Sequence, residues 1–151
     1  MEVYAKTYLD GVIERQGEFF DYFNEKNPGC DTADFIEAYM KSTTRRHIDD
    51  GQSYVLTMDP ERLWEWFIAH DHYIPKPGAQ ILGFAPNWIG RFYALYQWTR
   101  RLTSAETIAA VPLSYLVPAY RGLHDLDLDL AVAKVAGCSE SCTSDNEDNL
   151  K

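Results

Sequence analysis

The densest polar stretch of the chain runs Lys41-Ser42-Thr43-Thr44-Arg45-Arg46-His47-Ile48-Asp49-Asp50-Gly51-Gln52-Ser53-Tyr54. Two adjacent guanidinium groups among hydroxyls can fork onto a phosphate or onto the carboxylate of a partner. Arg45, Arg46, Asp49, Asp50 and Tyr54 are therefore the candidate binding residues. The plainer alternative is that Arg45 and Arg46 favour the negative end of the preceding helix. Further on, His70-Asp71-His72 offers two imidazoles two residues apart. Such a pair points to different faces of a helix, so it chelates a metal only in extended backbone. Asp125-Leu126-Asp127-Leu128-Asp129 has the opening spacing of a calcium loop. Leu130 stands where that loop needs glycine and Ala136 where it needs a bidentate glutamate, so these carboxylates read as charges favouring the start of a helix. The sequence contains no Gly-rich phosphate loop, Gly-x-Ser-x-Gly elbow or Cys-x-x-Cys pair.

His47, the His70-Asp71 pair and the distant Asp125, taken in that order, resemble the metal site of HD-type phosphohydrolases. In that all-α family, imidazoles and carboxylates hold one or two divalent metals that activate water against a phosphate ester. The resemblance implies His47, His70, Asp71 and Asp125 as ligands. This chain departs from the family where His72-Tyr73-Ile74-Pro75 follows the pair in place of a continuing helix, and where no basic residue follows closely to hold phosphate.

The elements that must position these residues are helical by period. Tyr8, Leu9, Val12, Ile13, Phe19, Phe20 and Phe23 mark a first helix that stops before Asn27-Pro28-Gly29. Gly17 inside it costs about 1 kcal/mol against alanine, which a closely packed neighbour would justify. Asp31 caps a second helix carrying Phe35, Ile36, Tyr39 and Met40, which runs into the polar stretch. Tyr54 to Met58 is the one run with strand character. Asp59-Pro60 opens a third helix, with Leu63, Trp64, Trp66, Phe67 and Ile68 making it apolar on a broad face. Pro75, Pro77 and Gly78 mark a loop, and Gly83 and Pro86 a second break. A wide apolar face from Trp88 to Arg101 predicts a central buried helix, with Gly90 a point of close helix contact. Thr103-Ser104-Ala105-Glu106 is a capping box. Pro112 and Pro118 keep the next pieces short, and Gly122 stops a helix. Leu126, Leu128, Leu130 and Val132 alternate as in a strand, but their spacing also fits helix faces, and Asp125 as cap with Ala131, Ala133 and Lys134 favours a last helix reaching Val135.

These readings predict one all-α domain over residues 1–136, with six or seven helices around an aromatic-rich core that includes Trp64, Trp88 and Phe92. A disordered acidic tail over 137–151 follows. The 151 residues hold 10 Tyr, 7 Phe and 4 Trp, enough for a core needing neither metal nor disulfide. A net charge of -9 excludes the basic footprint of direct nucleic-acid binding. The three cysteines suggest no disulfide framework, no segment reaches a membrane span, and the first residues carry no secretory pattern, so the expected compartment is the cytoplasm. No cofactor is implied. The physical type is a small acidic module that occupies a basic surface of a partner protein, as inhibitors, antitoxins and immunity proteins do. A structural subunit of a larger complex is the other non-enzymatic expectation.

Overall fold

The computed structural model describes residues 3–137. Among them the fold is all-α. A short 3-10 turn, Lys6–Tyr8, leads into α1 (Leu9–Lys26), α2 (Thr32–Met40), α3 (Thr43–Asp49), α4 (Ser53–Leu56), α5 (Pro60–Asp71), α6 (Ala85–Arg100), α7 (Ser104–Ala110) and α8 (Leu113–Leu123). A last helix, α9, covers 128–137. The expected tail begins at Gly137, which instead ends α9; the rest of it, with Cys138 and Cys142, lies outside the described residues. No described helix is long and apolar enough to cross a membrane.

The two longest helices, α1 and α6, form the most extensive pairing in the fold. They approach closely because glycine meets glycine. A Cβ on Gly90 would lie 2.6 Å from the Gln16 carbonyl oxygen, and one on Gly17 would lie 2.8 Å from that of Asn87. Around this crossing, Phe19, Phe20 and Phe23 of α1 pack against Phe35 and Tyr39 of α2, Phe19 and Phe23 also meet Trp64 of α5, and Phe67 of α5 packs on Phe35 and Tyr39. Phe23 and Phe35 stack at 4.1 Å, and Phe35 meets Phe67 edge-on at 6.0 Å. Trp64, Trp88 and Phe92 are all buried.

The caps hold as the sequence indicates. Asp31, Asp59 and Thr103 each accept from a backbone amide three residues on, and Glu106 closes the capping box. Several boundaries differ. Tyr54 to Met58 makes no strand, since one helical turn, α4, occupies it. The polar stretch does not extend α2, because the Ser42 hydroxyl accepts from the Arg45 amide and starts a separate α3. Pro86 lies in the first turn of α6, where its missing N–H needs no partner. Pro118 and Gly122 both sit inside α8. Pro118 leaves the Ser114 carbonyl without its helical bond, but both residues are exposed and water can satisfy it. The last helix begins after Asp127, whose carbonyl accepts from Ala131, so Asp125 precedes it by a turn and does not cap it.

Candidate functional site

Helical geometry divides the five candidate binding residues. Neighbours on a helix point about 100° apart, whereas i and i+4 share a face. Arg45 and Asp49 face inward beside Ile48, with relative exposures of 0% and 2%. The Arg45 guanidinium donates to Asp49 Oδ1 at 2.7 Å, to Gln16 Oε1 at 2.8 Å and to Gln97 Oε1 at 2.6 Å. Asp49 also accepts from the Gln97 amide and from both the backbone amide and hydroxyl of Ser104. Gln16 passes the chain on, donating to the Gly90 carbonyl at 2.8 Å. The cluster thus ties α1, α3, α6 and the start of α7, and Arg45, Asp49, Gln16, Gln97 and Ser104 each find a partner within it. Arg45 and Asp49, expected from the sequence to meet a partner, are instead engaged in the interior with one another and with Gln16, Gln97 and Ser104. Arg46, Asp50 and Tyr54 do remain exposed. Arg46 and Asp50 line a cleft of about 200 Å³ beside Thr103 and Ser104. Tyr54 lies edge-on to Trp66 at 5.5 Å and donates to Gln52.

The residues implied by the phosphohydrolase resemblance, His47, His70, Asp71 and Asp125, do not converge on a shared point, and His70, Asp71 and Asp125 meet other partners. Asp71 accepts from the Thr43 amide at 2.8 Å and the Thr44 amide at 3.0 Å, and from the Thr44 hydroxyl, so it caps α3 from the end of α5. Partial burial pushes the Asp71 pKa up, but these donors together outweigh it and hold the carboxyl below its ordinary range. The His70 ring stacks on Trp66 at 3.9 Å, its Nδ1 2.9 Å from the Trp66 carbonyl oxygen. His72 ends α5 in the left-handed region at φ 55°, which turns the chain out of the helix. Asp125 lies 3.3 Å from His124, whose ring stacks on Tyr120. Among the described residues no group of three or more His, Cys, Asp or Glu is placed to hold a metal.

The loop over 72–84 is a feature that the pattern of breaks located but did not characterise. It is pinned at Tyr73 and from Lys76 to Ile81. The Lys76 and Ala79 carbonyls accept from the Asp31 and Thr32 amides, and the Gly78 amide donates to the Gly29 carbonyl. The Ile81 amide donates to the Thr32 hydroxyl, the Ile81 carbonyl accepts from the Asn24 side chain at 2.7 Å, and the Gln80 side chain reaches the Asn27 carbonyl. Tyr73 anchors its start, stacking on Phe67 and donating to Asp34. Burial and that bond raise the Tyr73 pKa well above the usual phenol range. Yet Ile74, Leu82 and Phe84 stand in solvent, with relative exposures of 76%, 74% and 57%. Large apolar residues flanking Pro and Gly were the sequence signal available for this.

On the outer side of α1, Asp10, Glu14, Glu18, Asp21 and Glu25 follow one another at spacings of three or four. The bases of the same helix are engaged elsewhere: Arg15 donates to the Leu56 carbonyl at 2.9 Å, and Lys26 lies over the Tyr22 ring. Partial burial and the Glu25 charge raise the Asp21 pKa, against the opposing effects of the Asn87 amide and Arg91. Near the start of this ridge, a groove of about 630 Å³ is lined by Ile13, Leu95, Leu128 and Val132 with Asp10 and Asp129.

Compared with protein families, curated proteins and solved structures, the chain matches none.

Proposed function

We propose that this is a small acidic protein-binding module, acting in the cytoplasm as an inhibitor or antitoxin does, by occupying a basic surface of a macromolecular partner without contacting nucleic acid itself. The observation that carries the reading is the carboxylate ridge on α1. Like charges at i and i+4 destabilise a helix by about 0.2–0.5 kcal/mol per pair. A fold arranged for stability alone would set Lys or Arg between them. A partner's cations would relieve that repulsion on docking, and the chain's charge of -9 would draw such a partner in from a distance.

The test is affinity capture from the native cell, followed by binding kinetics across a salt series. We expect a basic partner whose association slows as salt rises, since the screening length is about 10 Å at 0.1 M. The double variant Glu14→Lys/Glu18→Lys should slow association and flatten the salt dependence while leaving dissociation nearly unchanged. An acidic partner, or association indifferent to both salt and charge reversal, overturns the reading. A salt-insensitive stoichiometric complex points to a structural subunit in its place.

A further inference from the structure

We infer that the end of the molecule formed by loop 72–84 is the contact surface of this module, and that its partner meets it with an apolar pocket rimmed by lysines and arginines. The inference rests on the binding function proposed above. Two independent features meet there. The first is the display of Ile74, Leu82 and Phe84 on a segment that has no regular structure but is hydrogen-bonded to α1, α2 and the turn between them. Large apolar side chains held in water on a pinned loop pay little ordering entropy when they are covered, the circumstance in which anchors contribute most to affinity.

The second feature is charge. Asn24, whose side chain holds the Ile81 carbonyl, lies on α1 between Asp21 and Glu25, the terminal pair of the acidic ridge. Asn87, one turn into α6 from Phe84, donates to Asp21 at 2.7 Å. The ridge therefore ends beside Leu82 and Phe84. Asp31 and Asp34 add carboxylates under the other half of the loop, where Lys76 offsets them through a 3.7 Å pair with Asp34. Apolar anchors bordered by carboxylates call for a pocket bordered by cations. A second copy of this chain on the same patch would set Asp21 and Glu25 against acids of its own kind, and an anionic bilayer would meet the same repulsion.

The test places a photo-crosslinking residue at Phe84, at Leu82 and, as a control, at Leu130, an exposed apolar position on α9. Each full-length chain is irradiated in the native cell. We expect positions 84 and 82 to cross-link the basic protein found by capture and position 130 not to. In kinetics with that protein, Leu82→Asp and Phe84→Asp should speed dissociation by about 30-fold or more, the loss typical of an anchor. A protein that cross-links only from position 130, or that binds both aspartate variants at unchanged rates, overturns this surface and leaves the binding function standing. A cross-link to a second copy or to lipid overturns the choice of occupant. If the unmodified chain captures no partner, the function falls and the surface with it.

Discussion

Helix α3 and the loop over 72–84 sort their side chains in opposite senses. The most polar stretch of the sequence sends Arg45 and Asp49 into the interior, whereas the loop sends Ile74, Leu82 and Phe84 into water. The first is tolerable only because its charges are fully paired. A buried carboxylate alone would cost several kcal/mol, but four donors converge on Asp49. The second is tolerable because exposing an apolar side chain forgoes a gain without leaving a polar group unsatisfied. A buried polar cluster of this kind fixes how helices sit against one another. Apolar side chains left in water do little for the fold, which is the physical reason to look for their use outside it.

The contrast is broken most severely at Arg45. Arg45→Met should cost about 3–5 kcal/mol, because it strands Asp49 in the interior with part of its hydrogen bonding gone. Denaturant unfolding would measure this as a fall in midpoint at constant slope. Pairing it with Asp49→Leu should recover much of the loss, since the second change removes the stranded charge. A single variant as stable as the parent would mean that the cluster is solvated and that the two regions do not differ in kind.

Asp71 lies between the extremes, partly exposed and capping α3 from another helix. Asp71→Asn should cost about 0.5–1 kcal/mol at neutral pH, in the lower range for a cap. Its folded pKa is depressed, so its stabilising effect is present above the ordinary carboxylate pKa and is lost as pH falls through the folded value. Parent and variant should therefore converge in acid. Urea titrations at neutral pH and near pH 3 check it, and a gap that widens in acid would contradict the capping role.

The smallest effect belongs to the loop. Leu82→Ser and Phe84→Ser should each change stability by no more than about 0.5 kcal/mol in the same unfolding assay, as surface substitutions do. A clear loss from either would mean that these side chains support the fold, and the contrast with α3 would disappear.

The helices with long apolar faces are legible in the sequence. The 3.6-residue period of Phe19, Phe20 and Phe23 or of Trp88, Phe92 and Tyr96 survives any tertiary arrangement, because a helix must bury that face somewhere. The caps at Asp31, Asp59 and Thr103 are legible too, since a side chain reaching three residues along is a local interaction. So is the close approach at Gly90, a residue with little other reason to sit in a central helix. Short α4 reads as a strand because a single turn of Tyr, Val and Leu has no period to mark it as helix.

The candidate site is far less legible. Arg45 and Arg46 look alike in sequence, and the same holds for Asp49 and Asp50, yet the helix turns one of each inward. The i,i+4 spacing of Arg45 and Asp49 around Ile48 is the available signal. Its partners Gln16, Gln97 and Ser104 lie 29 to 55 residues away from the member each one meets, beyond any local pattern. His47, the His70-Asp71 pair and Asp125 share only an order along the chain. The sequence by itself determined a helical chain with an aromatic core, because period and capping are properties of neighbours a few residues apart. Which polar groups are buried, and which apolar ones are left in water at 72–84, only the tertiary structure decided, because burial depends on what distant segments place over a residue.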